Sequence, residues 1–133
     1  MSTKILVVDD DPDILEAINL ILEARGYQVV TARDGIDALN KLKEEKPDLM
    51  ILDLMMPRLD GFGVCKELKD PRWSKYSHIP IIILSSVRQD ASRRRYELET
   101  GVQLDVDDYV EKPIEHNILL ERVEKVLRKA GKV

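Results

Sequence analysis

Short apolar runs alternate with helical patterns along this chain. The predicted strands span residues 4–8, 28–32, 49–52, 81–84 and 108–110. Between the first two strands, apolar residues recur at the three- and four-residue spacing of a helix, in Ile14, Ile18, Ile21 and Leu22. Strict alternation of strands and helices predicts an α/β fold, in which helices cover both faces of a parallel sheet through right-handed crossovers.

Breaker and capping residues place the ends of the predicted helices. The first helix begins at Asp11-Pro12 and stops at Gly26, while Asp34-Gly35 forms a turn before the second. The third helix spans residues 61–69 and the fourth about residues 88–100. The apolar positions predicted to anchor the later helices are Ile36, Leu39 and Leu42 in the second, Ala91 and Leu98 in the fourth, and Leu119, Val123, Val126, Leu127 and Ala130 in the last.

Polar residues follow four of the predicted strands at the points where they end. Asp9-Asp10-Asp11 follows the first strand, Asp53 the third, Ser85-Ser86 the fourth, and Lys112-Pro113 comes shortly after the last. Parallel strands end at the same edge of a sheet, and ligands of open α/β sheets bind at that edge. The sequence therefore predicts that these carboxylates, a hydroxyl and a lysine lie together.

Carboxylates in this arrangement need a compensating charge. Asp9, Asp10 and Asp53 would raise one another's pKa unless a cation lies among them, and an all-oxygen site with few carboxylates suits Mg²⁺. A carboxylate can also act as a nucleophile toward phosphorus, which requires positive charge and hydrogen-bond donors around the phosphoryl oxygens. With Lys112 and Ser85 available for that purpose, the set predicts a phosphoryl-acceptor site.

Each of these residues alone has an ordinary structural explanation. Asp10 or Asp11 could cap the helix after the first strand, Ser85 could cap the following helix, and Lys112 could be a solvated charge. Asp53 is harder to explain in this way, because it ends a wholly apolar strand, where a buried charge must be compensated. The joint placement of all four positions at one sheet edge favours the functional interpretation.

Bulk properties limit the alternatives. A chain of 133 residues with 44% hydrophobic and 35% charged residues predicts one ordinary soluble domain, residues 1–133, without a linker or effector domain. A net charge of −4 argues against direct nucleic-acid binding. Since Cys65 is the single cysteine of the chain, an intrachain disulfide is excluded. The first apolar run is too short for a signal peptide or membrane span, so a cytoplasmic location without membrane attachment is expected.

These motifs resemble the receiver domain of two-component response regulators, and the resemblance covers nearly the whole chain. It implies a flavodoxin-like, doubly wound five-stranded parallel sheet with strand order 2-1-3-4-5. The residues that carry it are Val7-Val8-Asp9-Asp10, Asp53-Leu54-Met55-Met56-Pro57 with Asp60-Gly61, Ser85, and Asp108-Tyr109-Val110-Glu111-Lys112-Pro113.

The resemblance also implies a role for each site residue. Asp53 would be the phosphoacceptor. Asp10, Asp53 and the backbone carbonyl of Met55 would hold Mg²⁺, with Asp9 acting through a bound water. Ser85 and Lys112 would contact the phosphoryl group, and the Lys112–Pro113 bond would be cis. Ser85 and Tyr109 would form the switch.

The implied partners follow from the same family. The phosphoryl donor would be a sensor histidine kinase or a phosphotransfer protein, and the chain would catalyse only its own phosphorylation and dephosphorylation, without being a turnover enzyme. The fourth helix, last strand and last helix would form the switched surface toward a downstream protein or a covalently linked effector domain. A homodimer is compatible with this surface.

Two features depart from the family pattern. Residues 102–106 lengthen the connection before the last strand, and residues 69–79 form a long crossover containing Trp73. For Trp73, packing over the sheet edge is favoured over a docking role.

Several other classes can be compared with this interpretation. Asp9-Asp10-Asp11 would repel the phosphate of a flavodoxin-type FMN carrier, and Met55 replaces the second acid of a haloacid-dehalogenase-type phosphatase. No Gly-rich nucleotide motif is present. The remaining alternative is a degenerate receiver that acts as a phosphorylation-independent interaction module.

Overall fold

Five parallel strands form one sheet in the computed structural model, which describes residues 2–86, 94–95, 97–99 and 106–132. The spatial order is β2-β1-β3-β4-β5, and every neighbouring pair is parallel. The predicted fold class and strand order are therefore confirmed. The strands are β1 (Lys4–Val8), β2 (Gln28–Ala32), β3 (Leu49–Asp53), β4 (Ile81–Ser85) and β5 (Asp108–Glu111).

Three helices begin with an aspartate cap near the carboxyl edge of the sheet. Asp11, Asp34 and Asp60 accept hydrogen bonds from the backbone N–H groups two or three residues later, at 2.8–2.9 Å. Each carboxylate satisfies a donor that has no partner within the first turn of its helix. The helices whose bounds the structure gives are α1 (Pro12–Ala24), α2 (Gly35–Glu45), α3 (Gly61–Leu68), a short 3₁₀ turn (Pro71–Trp73) and the C-terminal helix (His116–Lys129).

The sheet is buried on both faces, which explains why its strands are continuous apolar runs. Along β1, Leu6 and Val8 belong to the core under α2 and α3, while Ile5 and Val7 belong to the core under α1 and the C-terminal helix. The two cores hold the strands rigidly on either side, so the residues just beyond the strand ends have fixed positions. In the described part of the chain, every helix falls short of the length and apolar character that crossing a membrane requires.

Three predicted core positions, Ile36, Ala130 and Leu98, are wrong. Ile36 is half-exposed, because α2 buries the face centred on Gly35, Ala38, Leu39 and Leu42, and Ile36 lies on its flank. Ala130 is exposed, because the C-terminal helix ends at Lys129 and Ala130 is its C-cap.

Leu98 is also wrong as an anchor of the predicted fourth helix. Residues 94–95 and 97–99 are helical, but the Leu98 side chain is 86% exposed. Ala91, the other predicted anchor, and residues 102–105 of the lengthened connection lie outside the described residues.

The long crossover packs its aromatic residues against the protein. Trp73 is buried in the core on the α2 and α3 side, and its indole N–H donates to Glu67 Oε1 at 3.0 Å. Lys43 Nζ lies 4.5 Å from the ring centroid, and the Tyr76 ring meets Trp73 edge to face. Trp73 is therefore a packing residue, and its neighbours include side chains of α2 and α3.

Candidate functional site

Three carboxylates meet at the carboxyl edge of the two central strands. Val8 of β1 pairs with Leu52 of β3, so the next residues, Asp9 and Asp53, lie side by side. Asp9, Asp10 and Asp53 each offer one carboxylate oxygen, and these oxygens all lie within 4.8 Å of one another. The predicted convergence of the acidic residues is thus present in the structure.

The three carboxylates differ in their exposure to solvent. Asp9 is 0% exposed and Asp53 1% exposed, whereas Asp10 faces solvent. Asp9 is fixed by its surroundings: its N–H donates to the Ala32 carbonyl at 3.1 Å, and its Oδ1 accepts from the Asp11 N–H at 2.9 Å. The other oxygen, Asp9 Oδ2, has no hydrogen-bond partner.

Lys112 supplies the positive charge that faces both buried carboxylates. Its Nζ lies 3.1 Å from Asp9 Oδ2 and 3.4 Å from Asp53 Oδ1. The contact with Asp9 is an ion pair without hydrogen-bond geometry, since Oδ2 remains without a hydrogen-bond partner. The backbone places the lysine: its N–H donates to the Ser85 carbonyl at 2.7 Å, and the Lys112–Pro113 bond is cis.

Burial and charge move the pKa values of this site in definite directions. Burial raises the pKa of Asp9, and the hydrogen bond from Asp11 and the charge of Lys112 offset only part of that effect. Burial also lowers the pKa of Lys112, but Asp53 and Asp9 outweigh it, so the Lys112 pKa is raised overall. Lys112 is therefore charged at neutral pH, and its ammonium group is shared between Asp9 and Asp53.

The donor set fits a hard divalent cation. All three acidic side chains offer oxygen, and the buried Asp9 Oδ2 has an ion pair with Lys112. The cluster carries more negative than positive charge. A metal ion of the Mg²⁺ type would compensate this excess of negative charge.

The remaining predicted site residues lie around this cluster. Ser85 is buried at the end of β4, one residue beyond Leu84, which pairs with Asp53. Met55 lies two residues after Asp53 with its side chain about half exposed. Tyr109 is partly buried against the core under α2 and α3. The contacts therefore join Lys112 directly to Asp9 and Asp53, and to Ser85 through the backbone.

One charged pair near the site is missing from the sequence prediction. Asp34 caps α2 with Oδ1, and its Oδ2 accepts from Arg58 Nε at 2.9 Å and from Arg58 Nη2. Burial raises the pKa of Asp34, but the hydrogen bond from Asp37 and the Arg58 guanidinium outweigh it and hold that pKa below its usual value. The helix pattern after Asp34 could have identified the cap, but no local signal points to Arg58.

A doubly wound sheet with a buried acidic cluster and a lysine at its carboxyl edge is the architecture of a two-component receiver domain. The family model for the response regulator receiver domain matches residues 5–124. The chain belongs to this family.

Similar proteins include several transcriptional regulators. The chain is 44% identical over 129 residues to the probable transcriptional regulator ycf27 of Guillardia theta, covering 97% of this chain and 47% of the relative. It is 40% identical over 130 residues to the alkaline phosphatase synthesis transcriptional regulatory protein PhoP of Bacillus subtilis, covering 98% and 50%. The chain thus spans about half the length of the curated relatives it matches.

A solved structure has the same fold as this chain. The chemotaxis protein CheY4 of Vibrio cholerae superposes with a TM-score of 0.80 at 28% sequence identity, covering 96% of this chain and 100% of CheY4. The chain is therefore a two-component signalling module with a CheY-like fold.

Proposed function

We propose that Asp53 accepts a phosphoryl group from a phosphohistidine donor. The observation that carries this proposal is the buried Asp53 carboxylate, whose Oδ1 lies 3.4 Å from Lys112 Nζ within a cluster of three acids. In the transfer, an Asp53 oxygen forms a bond to phosphorus as the phosphorus–nitrogen bond of the donor breaks. The electron pair leaves with the imidazole nitrogen, which is protonated.

The chain's own residues prepare this transfer. Lys112 holds positive charge beside Asp53, where the phosphoryl oxygens would come to lie, and Ser85 at the end of β4 would donate a hydrogen bond to one of them. Burial excludes water from Asp53 on its inner side. The site therefore orients and stabilises the phosphoryl group without acting on any external substrate.

Asp10, Asp53 and the Met55 carbonyl would hold Mg²⁺, with Asp9 contributing through a water molecule. When bound, Mg²⁺ would neutralise charge that builds up on the phosphoryl oxygens. Asp10 suits direct contact with the ion because it is the exposed member of the acidic cluster. Asp9 is buried, and its two carboxylate oxygens already contact the Asp11 N–H and Lys112.

Phosphorylation would act on a surface formed by the predicted fourth helix, β5 and the C-terminal helix. Ser85 and Lys112 are joined by a backbone hydrogen bond of 2.7 Å, so a shift of the β4 end is passed to β5. Tyr109 lines a cavity of about 380 Å³ there, together with Pro113, Ile118 and Arg122. A partly buried aromatic residue beside a cavity can move between two positions, which is the basis of a two-state switch.

The partners follow from the family and from the relatives. The donor would be a sensor histidine kinase or a phosphotransfer protein. The relatives named as transcriptional regulators are about twice as long as this chain, so the output would be a downstream protein or an effector domain linked to this one. Residues 1–133 would form one receiver domain that catalyses only its own phosphorylation and dephosphorylation.

The test is intact mass after incubation with acetyl phosphate, with and without Mg²⁺. We expect a Mg²⁺-dependent gain of one phosphoryl group, which is lost in Asp53→Ala. The matched control is Asp13→Asn, an exposed acid in the first turn of α1 that should be phosphorylated like the wild type.

Absence of the modification would be followed by a test with phosphorylated histidine-kinase donors. If these also leave a folded, Mg²⁺-binding protein unmodified, the phosphoacceptor proposal is wrong. The phosphorylation-independent interaction module then becomes the better description.

A further inference from the structure

We propose that the connection between β2 and α2, residues 33–35, positions the two halves of the acidic site relative to each other, and that Asp34 and Arg58 are its positioning residues. The two halves are the acidic loop, residues 9–11, and Asp53 with the loop that follows it, residues 54–60, which we call the acceptor loop. This inference deepens the proposed function, since it concerns the Mg²⁺ affinity of the same site.

Three successive residues of the connection contact the two loops. Arg33 Nη2 donates to the Asp10 carbonyl of the acidic loop at 3.3 Å. The Asp34 carboxylate accepts from the Arg58 guanidinium of the acceptor loop. The Gly35 N–H donates to the Leu59 carbonyl at 2.7 Å. The two loops are thus tied to one short, rigid segment at the start of α2.

The contact at Gly35 requires the absence of a side chain. A Cβ at this position would lie 2.2 Å from the Leu59 carbonyl oxygen, closer than any real contact. The first turn of α2 therefore rests directly on the backbone of the acceptor loop. This close approach brings Asp34 and Arg58 together and leaves the aspartate nearly buried.

The backbone of Arg58 supplies an independent argument. Its φ is +65°, in the left-handed region that residues with a Cβ disfavour and glycine adopts freely. Glycine or asparagine would fit this backbone at lower cost. An arginine here is explained by its side chain, which reaches Asp34 with two nitrogens in the fork geometry that arginine offers a carboxylate.

The far end of the acceptor loop is fixed as well. The Gly61 N–H donates to the Leu54 carbonyl at 2.9 Å, and Asp60 caps α3. With both ends of the loop held, the Asp34–Arg58 pair restrains the loop three residues after Met55. Replacing residues that orient metal ligands through hydrogen bonds commonly weakens metal affinity.

The experiment measures Mg²⁺ affinity of the whole unphosphorylated chain by isothermal titration calorimetry. The variants are Arg58→Gly, Arg58→Lys and Asp34→Asn, which keeps an oxygen for the α2 cap. We expect Arg58→Gly and Asp34→Asn to weaken Mg²⁺ binding about ten-fold, and Arg58→Lys to restore part of the loss. Arg58→Gly relieves the left-handed backbone, so its affinity should fall without a matching loss of stability.

The matched control is Arg72→Ala. Arg72 Nε lies 3.1 Å from Asp70, which caps a helical turn just as Asp34 does, but this pair lies in the crossover after α3, away from the acids. Its removal should leave Mg²⁺ affinity within about two-fold of the wild type.

A second readout needs neither metal nor phosphoryl transfer. Backbone amide exchange should rise in both loops of Arg58→Gly, including residues 9–11, which Arg58 does not touch in the described contacts. Unchanged Mg²⁺ affinity, or unchanged exchange at residues 9–11, would overturn the inference. A wild type that binds Mg²⁺ but is not phosphorylated would contradict only the proposed function.

Discussion

At the scale of the residue, Asp9 is the most constrained group of the site. It is completely buried, one of its oxygens has no hydrogen bond, and Lys112 is shared between it and Asp53. Burial raises its pKa above 3.8, the ordinary value. The native state therefore binds a proton at Asp9 more readily than the unfolded chain does, and ionised Asp9 costs stability at neutral pH.

We therefore expect Asp9→Asn to be more stable than the wild type in Mg²⁺-free buffer at pH 7, by about 1 kcal/mol. The amide removes a buried charge and keeps an oxygen for the Asp11 N–H. The gain should be fully present above the raised Asp9 pKa and should fade as the pH falls through it toward 3.8, the ordinary value. Urea unfolding at several pH values measures it.

The control for this measurement is Asp13→Asn, which replaces an exposed acid and should change stability by less than about 0.5 kcal/mol. A wild type that is more stable than Asp9→Asn at pH 7 would mean that the ion pair with Lys112 outweighs the cost of burial.

At the scale of the element, the start of α3 lies directly against the end of β3, next to Asp53. Gly61 opens this helix directly against the end of β3, where a Cβ would be 2.5 Å from the Asp53 carbonyl oxygen and 2.8 Å from Leu54 Cα. Both of these are backbone atoms, which cannot move without moving Asp53. At Gly63, two residues later in the same helix, a Cβ would instead meet Leu59 Cδ1 at 2.3 Å, the end of a side chain.

The two glycines therefore make a matched pair of substitutions. Gly61→Ala should destabilise the fold by about 2 kcal/mol, because backbone must shift to make room. Gly63→Ala should cost less than about 1 kcal/mol, since the Leu59 side chain can adjust and alanine favours a helix. Thermal and urea unfolding compare them, and equal losses in the two variants would contradict this explanation.

At the scale of the whole molecule, the site joins segments that are distant in sequence. Its acids come from the ends of β1 and β3 and its lysine from the loop after β5, and only the assembled sheet brings them together. An ion held by such a site binds the native state and not the unfolded chain. Metal binding should therefore stabilise the entire fold.

We expect the melting temperature to rise with Mg²⁺ concentration. At about a hundred-fold excess over the dissociation constant, the stabilisation should approach about 2.7 kcal/mol, and chelation should reverse it. Asp10→Asn should show a much smaller rise, because Asp10 is the exposed carboxylate of the cluster. Scanning calorimetry measures the effect, and an equal rise in wild type and Asp10→Asn would exclude Asp10 as a ligand.

The sequence by itself determined the fold class and the acidic cluster. Its apolar runs are short, continuous and separated by helical patterns, and this pattern is a local property of the chain. Asp9, Asp10 and Asp53 could be placed together because parallel strands share one carboxyl edge, whatever the details of packing. The first two strands agree with the prediction residue for residue.

Only the tertiary structure decided which carboxylate is buried, which helix face is covered and what holds the two loops. Ile36 and Leu98 fit a helical period but are exposed. For Ile36 the reason is that packing covers the face of α2 that carries Ala38, Leu39 and Leu42. The Asp34–Arg58 pair joins residues that are 24 positions apart. A contact of this kind depends on the close approach of two backbones, which local sequence patterns do not encode.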